Sequence, residues 1–157
     1  MSQLTFRPVE PTDLDAIFEQ MRDRESVHMA AFTADDPNDR SAFDAHMTKI
    51  MSSSGVWLRA ITCDSALAGT IGSWVSDGVS EVTYWINRAY WGQGIATRAL
   101  GLFLEQTNVR PIRARAASDN AGSLRVLQNA GFHPIGTELS FAPGRAAEIE
   151  ETILELS

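Results

Sequence analysis

The stretch Tyr90-Trp91-Gly92-Gln93-Gly94-Ile95-Ala96-Thr97 constrains this chain more than any other. It joins a strand-like run, residues 81–86, to a helix-like run, residues 95–106. Gly92, Gly94 and Ala96 put small residues where the helix opens. Larger side chains there would cover the first backbone N–H groups. Without them, unpaired donors and the positive end of the helix dipole face outward together. The segment therefore predicts a cradle for a pyrophosphate.

The remaining elements follow from periodicity and punctuation. Leu4-Thr5-Phe6-Arg7-Pro8-Val9 alternates and predicts a first strand. Thr12 is expected to cap a helix carrying Leu14, Ile17, Phe18 and Met21 on one face. Asp35-Asp36-Pro37-Asn38-Asp39 breaks the chain before a second helix with Phe43, Met47, Ile50 and Met51 inward, ended by Ser52-Ser53-Ser54-Gly55. Residues 56–62 and 67–75 predict strands around an Asp64-Ser65 turn, and Ser76-Asp77-Gly78 turns the chain into a fourth strand at 82–86. The cradle helix is expected to bury Ile95, Ala99, Leu102 and Phe103, and a strand follows at 111–116. Asn120 caps a shorter helix with Leu124 and Leu127 inward, closed by Gly131. Residues 132–141 and 149–156 make a last pair of strands around Pro143-Gly144. The order β-α-α-β-β-β-α-β-α-β-β, over 157 residues without repeat or linker, predicts a single α/β domain, a mixed sheet flanked by helices.

Charge and composition exclude several function classes. A formal net charge of -7 argues against a nucleic-acid binder, and it requires that any anionic ligand be held by local donors. No apolar run approaches the ~20 residues that span a bilayer. Met1-Ser2-Gln3-Leu4-Thr5 lacks the basic and apolar parts of a secretory leader. Cys63 is the only cysteine and cannot form an internal disulfide, so a cytoplasmic location is expected and Cys63 reads as a small buried hydrophobe. His28, His46 and His133 lack metal-ligand spacing, so no metal is expected.

Other phosphate-binding patterns fail on single residues. A dinucleotide fingerprint needs a third glycine where Thr97 stands, and a nucleotide-triphosphate loop needs Gly-Lys-Ser/Thr, which the chain lacks. The plain alternative is that Gly92 and Gly94 only form a tight strand-to-helix turn. A second block, Asn120-Ala121-Gly122-Ser123-Leu124-Arg125-Val126-Leu127 followed by Asn129-Ala130-Gly131-Phe132, argues against that alternative.

Together the two blocks and the element order resemble the GNAT superfamily of acetyl-CoA-dependent N-acetyltransferases. Tyr84-Trp85, Tyr90-Trp91-Gly92 and Asn120 with Ser123 are most similar to its Rim-type branch, which acetylates N-termini of ribosomal proteins. The blocks cover about residues 80–136, and the order extends the likeness over nearly the whole chain. One departure is Trp91, where the family's pyrophosphate motif commonly begins with Gln or Arg. The exchange keeps the backbone donors and removes a polar side chain.

The resemblance implies a GNAT fold: one mostly antiparallel twisted sheet of about six to seven strands, splayed into a V between strands four and five. Acetyl-CoA would lie in that V as cosubstrate. Tyr84, Trp85 and Ile86 would offer main-chain partners to its pantetheine arm, and the N–H groups of Gly92, Gln93, Gly94, Ile95, Ala96 and Thr97 would hold the pyrophosphate. Arg98 reaches toward phosphates or faces solvent. Asn120 caps its helix, contacts pantetheine, or does both, since an amide has donor and acceptor ends.

The implied reaction is direct attack of an amine on the thioester carbonyl in a ternary complex, with CoA leaving as a thiolate. The amine must be neutral, which is easier for an α-amine (pKa about 8) than for lysine (about 10.4). A fourth-strand N–H would meet the developing oxyanion. Glu81 is the first candidate for the base, where family members often carry a glutamate; the alternative is a solvent-facing strand residue. Alternation puts Glu81 with Thr83 and Trp85, opposite Val82, Tyr84 and Ile86, without deciding which face is buried. Ser123 is the candidate proton donor to the leaving sulfur, or a helix residue that only touches the cofactor. The family's usual tyrosine position is Leu127 here, so that route is absent. Glu25 and His28 lie where an acceptor-facing loop would be. Trp57, Trp74 and Trp85 read as core or pocket wall, and Arg113 and Arg115 as solvent-facing. The expected acceptor is a primary amine, with a peptide or protein N-terminus ahead of a small or aminoglycoside-like amine. A non-catalytic acyl-CoA-binding or regulatory module on the same fold is the alternative. No nucleic acid or membrane partner is expected, and the state is monomer or homodimer.

Overall fold

The computed structural model describes residues 3–157; Met1 and Ser2, part of the leader reading above, lie outside the described residues. Among the described residues the chain forms seven strands and five α-helices. The strands are β1 (Leu4–Pro8), β2 (Val56–Cys63), β3 (Ala66–Ser76), β4 (Val79–Ile86), β5 (Ile112–Ala117), β6 (His133–Ala142) and β7 (Ala147–Leu156). The helices are α1 (Leu14–Met21), α2 (Arg24–Ala30), α3 (Arg40–Met51), α4 (Ile95–Glu105) and α5 (Ala121–Asn129). All strands join one sheet in the order β1-β2-β3-β4-β5-β7-β6. Every neighbouring pair is antiparallel except β4–β5, which is parallel. The expected mixed, mostly antiparallel sheet is therefore present, and α4 is the crossover that parallel neighbours require.

Both faces of the sheet are covered. Val82 and Ile86 of β4 pack with Ile61, Ile71, Ile112 and Leu154 beneath Ile95, Ala99, Leu100 and Phe103 of α4 and Leu127 of α5. Each large aliphatic side chain buried here contributes about 1.5–3 kcal/mol by leaving water. Trp57 joins this layer, edge-on to Phe6 at 5.8 Å and tilted against Phe103 at 5.2 Å. Cys63 is buried and unpaired, as expected. The opposite face carries α1, α2 and α3, with Ile17, Phe18, Ala31 and Met47 buried.

Three local expectations are corrected. Thr12 does not cap α1; Pro11–Asp13 forms a 3-10 turn instead. There Asp13 accepts from Glu10 N at 2.8 Å and from both terminal nitrogens of Arg7 at 2.7 and 2.8 Å. Leu100, not Leu102, completes the fully buried stripe of α4. That helix meets β1, β4 and α5, so its buried arc widens past a single face toward Ala96 and Leu104. Met51, expected inward, is 39 % exposed at the end of α3.

Helix α2 had no counterpart in the pattern reading. Asp23 caps it, accepting from Ser26 N and Ser26 Oγ. Its stability comes from contacts with distant chain: Gly144 N donates to Ala31 O at 2.8 Å, and Arg145 Nε donates to His28 O at 2.6 Å.

The β3–β4 register shows how tightly β4 is held. Gly69 lies opposite Ile86, and a Cβ at Gly69 would overlap the Trp85 carbonyl oxygen. Gly69→Ala is expected to destabilise the fold by about 2 kcal/mol or more, because backbone has to move to admit the methyl group. Urea denaturation checks this, and a midpoint equal to wild type contradicts it.

Candidate active site

The segment linking β4 to α4 has the geometry that its glycines require. After a 3-10 turn at Arg88–Tyr90, Gly92 and Gly94 adopt φ of 78° and 75°, the left-handed region that favours glycine. A Cβ at either position would meet no atom within 4 Å, so the backbone conformation selects glycine and the space outside is open. The helix's first turn closes with Arg98 N donating to Gly94 O at 3.0 Å. The N–H groups of Ile95, Ala96 and Thr97 therefore point out of the helix start without a helical acceptor. Trp91 ties this loop down: its indole Nε1 donates to the Ile86 carbonyl at 2.9 Å. The residue that departs from the family motif thus has a structural role of its own. Arg98 lies in the first turn of α4, half-buried.

Beside the loop the sheet opens. β4 and β5 pair only through Ser80↔Ile112 and Glu81↔Arg113. Beyond that point they diverge, while β4 stays paired to β3 up to Ile86. Main-chain groups of residues 82–86 on the β5 side consequently lack a strand partner. This is the V expected between the fourth and fifth strands, and Tyr84, Trp85 and Ile86 border it.

Val82, Tyr84 and Ile86 pack into the layer beneath α4 and α5, and Trp85 reaches α1 on the opposite face, which alternation gives to Glu81 and Thr83 as well. The Tyr84 hydroxyl lies 2.9 Å from Ser123 Oγ on α5, across the mouth of the V. Burial pushes the phenol above its ordinary value, and the Ser123 hydrogen bond opposes this. Asn120 caps α5 by accepting from Ser123 N at 3.2 Å, and its Nδ2 donates to Met29 O of α2 at 3.2 Å. Its acceptor end and one of its two amide hydrogens are used inside the protein.

On the opposite face Glu81 stands at the apex where the strands part. Its side chain is 14 % exposed, and Oε1 accepts from Arg115 Nε at 3.3 Å. Arg115 Nη1 also reaches Glu138 at 2.9 Å and Glu151 at 3.2 Å. The Glu138 hydrogen bond chiefly raises the guanidinium above its ordinary value. Burial pushes the Glu151 carboxyl up, against the pull of Arg115. Three carboxylates share this one guanidinium, so the cluster carries an excess of acidic groups. Thr83, mid-strand in the sheet, is exposed on this face between Glu81 and Trp85. The indole of Trp85 donates to Gln20 O at 3.2 Å, fixing α1 against β4.

Glu25 and His28 belong to helix α2 rather than to a loop. With Arg22, Asp23, Arg88 and Gly144 they line a cavity of about 860 Å³. Arg88 Nε donates to Asp23 at 2.9 Å across it. The same helix is clasped by Arg145, which binds both oxygens of Asp119 at 2.8 and 2.9 Å in the loop before α5. Arg113, expected in solvent, pairs with Glu155 at 2.9 Å.

Arg115, Glu138, Glu151 and Arg145 were not recognised as parts of this region. Arg115 carried one usable signal, since it shares a strand face with Arg113 and the preceding strand holds Glu81. Its other partners depend on the β5–β7 and β6–β7 registers, Ala117↔Glu151 and Glu138↔Glu151, which no local pattern encodes. Among the described residues, no group of His, Cys, Asp and Glu is placed to hold a metal, and no helix is long and apolar enough to cross a membrane.

The raised carboxyl of Glu151 makes a pH prediction. A carboxyl raised in the fold binds more protons folded than unfolded, so its support is complete at low pH and is lost as pH rises through the raised value. Glu151→Gln removes that titration. Urea melts are expected to show the variant gaining stability relative to wild type as pH rises above the ordinary glutamate range. A constant difference from about pH 4 to about pH 8 contradicts this.

Comparison with known proteins agrees with this geometry. Residues 3–133 match the family model described as Acetyltransferase (GNAT) domain. Spermidine N-acetyltransferase from Vibrio cholerae, solved with CoA and spermine, superposes with TM-score 0.85 at 16% identity, over 98% of this chain and 95% of that one. RimJ from Mycobacterium smegmatis, with CoA-disulfide, gives 0.77 at 18% identity over 98% and 81%. RimL, a ribosomal L7/L12 alpha-N-protein acetyltransferase with coenzyme A, gives 0.80 at 14% identity over 98% and 93%. A search of curated proteins gives no significant match. With the family model covering most of its length, the chain belongs to the GNAT acetyltransferase family.

Proposed function

We propose that the protein transfers the acetyl group of acetyl-CoA to a primary amine by direct attack in a ternary complex. A protein or peptide N-terminus leads as acceptor, and a small amine is second. The observation that carries the reading is the coincidence of two features. A strand edge that β5 leaves open beyond Glu81, with the Ile86 carbonyl taken up by the Trp91 indole, is followed after the 3-10 turn at Arg88–Tyr90 by a helix start whose first N–H groups have no helical acceptor. An edge strand can accept an extended amide-bearing arm, and the helix start suits a diphosphate. These are the two chemically distinct parts of one cosubstrate. The positive-φ glycines and the open space beside them fit that group, even in a protein of net charge -7, because the donors are local.

In this reading Gly92, Gln93, Gly94, Ile95, Ala96 and Thr97 hold the diphosphate through main-chain N–H groups. Tyr84, Trp85 and Ile86 line the arm, and Asn120 has one amide hydrogen left for it. Acetyl-CoA supplies the activated acyl group. Glu81 takes the amine's proton, directly or through water, and a β4 N–H meets the oxyanion. The negative wall formed by Glu81, Glu138 and Glu151 favours an acceptor that arrives as an ammonium ion. That wall also favours the small-amine acceptor as the second reading, since a compact cation needs no peptide groove. The Arg115 contact engages only one oxygen of Glu81, so the other keeps capacity to accept a proton.

Release of free thiol from acetyl-CoA against peptides, polyamines and aminocyclitols tests the proposal. Turnover is expected with peptides bearing a free N-terminus. Turnover of small amines alone overturns the acceptor preference, and acetyl-CoA binding with no turnover favours a non-catalytic acyl-CoA-binding module. In calorimetry, Gly94→Glu is expected to weaken acetyl-CoA binding about a hundredfold or more, through like charge, bulk and strain at positive φ. Retained affinity contradicts that location of the diphosphate.

A further inference from the structure

In a chain of net charge -7, a gathering of cations around one cavity is informative. Arg22, Arg24 and Arg88 all line the cavity of about 860 Å³ beside α2, against the two carboxylates of Asp23 and Glu25. Asp23 is already committed: it accepts from Arg88 Nε at 2.9 Å and from Ser26 N and Oγ at 3.1 and 2.9 Å. These bonds pin Arg88 by its inner nitrogen, and its two terminal nitrogens have no acceptor among the described residues. Arg22 is pinned in a similar way, Nε to Asn38 Oδ1 at 2.9 Å and Nη1 to Glu19 at 3.2 Å, which leaves Nη2. Arg24, exposed on α2, enters no hydrogen bond, ion pair or ring contact among the described residues. A guanidinium already held by its inner nitrogen loses little further freedom when its fork meets a carboxylate.

The cavity touches elements that border the V. Arg88 follows β4 by two residues, and Gly144 belongs to the β6–β7 turn. Asn120, at the start of α5, donates to Met29 O in the helix that walls the cavity. Pockets that enclose a drug-sized ligand run from about 300 to about 1,000 Å³, so this volume suits several residues of chain better than one inorganic anion. By extended-chain reach, Glu81 and Arg88 are at most about 25 Å apart, a span that about seven peptide residues or fewer can cover.

We propose that the cavity of Arg22, Arg24 and Arg88 binds carboxylate side chains of the acceptor, so that the preferred substrate is a peptide N-terminus followed within a few residues by Asp or Glu. This rests on the acetyltransferase reading above and names its acceptor class. The two ends of such a substrate are drawn to different groups: the ammonium to the carboxylates around Arg115, and the acidic segment to the three guanidiniums. A basic peptide instead brings cations against Arg22, Arg24 and Arg88, so the cavity selects by repulsion as well as by attraction. Glu25 lines the same cavity and works against an acidic ligand, which sets the size of the preference.

The test compares two peptides with free N-termini, identical except that the residues after the second are aspartate in one and asparagine in the other. Wild type is expected to show a KM about tenfold lower for the aspartate peptide, with similar kcat for both. Arg24→Ala is expected to shrink that ratio to about threefold or less, Arg24→Glu to remove it, and Glu25→Gln to widen it. Arg24 has no partner to lose among the described residues, so its variants keep the fold. Equal KM values in wild type, or a ratio that Arg24→Glu leaves unchanged, overturns the proposal while the acetyltransferase reading stands. Calorimetry with the aspartate peptide acetylated at its N-terminus reads the cavity without turnover. Binding that Arg24→Glu abolishes, in a protein that turns over no acceptor, supports the cavity assignment and overturns the acetyltransferase reading. Neither binding nor turnover overturns both.

Discussion

The site depends on where the hydrogen bonding between β4 and β5 stops. Two parallel register pairs, Ser80↔Ile112 and Glu81↔Arg113, hold the strands, and then they separate. A sheet interior normally satisfies every main-chain group on both sides of a strand. Here β4 is saturated by β3 and left open toward β5. The opening persists because side chains occupy both faces around it: Tyr84 with Ser123 on one side, and Glu81 with Arg115 on the other. The first links β4 to α5 across the gap, and the second links Glu81, at the last paired position, to Arg115 of β5.

Electrostatics are divided between the two ends of this opening. At the α4 end the donors are backbone N–H groups, which remain positive-facing at any pH and need no cationic side chain. At the apex end three carboxylates crowd one guanidinium. A polyanion and a cation could therefore approach from different directions without competing. Helix α2 lines the cavity bordered by Arg22 and Arg88, and its position is set from outside by Arg145, Gly144 and Asn120. The loop before α5 and the β6–β7 turn are thereby coupled to that helix, because Arg145 binds Asp119 as well as His28 O.

What could be read in the sequence was what local chemistry dictates. Gly92 and Gly94 announce a positive-φ turn, Asn120 announces a cap, and period-two runs announce strands; these need only neighbouring residues. The element between α1 and α3 was missed because Arg24–Ala30 has no apolar stripe, and distant hydrogen bonds hold it. The capping pair Asp23 and Ser26 was the one readable sign of it. Glu81 was found, but its surroundings were not, because Arg115, Glu138 and Glu151 converge on it only once three strands take their registers. Tyr84 was read for its backbone, yet its side chain meets a residue 39 positions away. The stripe of α4 shifted from Leu102 to Leu100 for a similar reason, since covering by β1 and α5 is a tertiary fact.

The central claim is that uncovered N–H groups at the start of α4, beside an unpaired edge of β4, hold one extended anionic cosubstrate. A crystal structure with acetyl-CoA bound tests this most directly. The account predicts the diphosphate within hydrogen-bonding distance of main-chain nitrogens in residues 92–97, with the pantetheine arm along residues 82–86. A diphosphate seated elsewhere, or an arm lying outside the gap between β4 and β5, would contradict it.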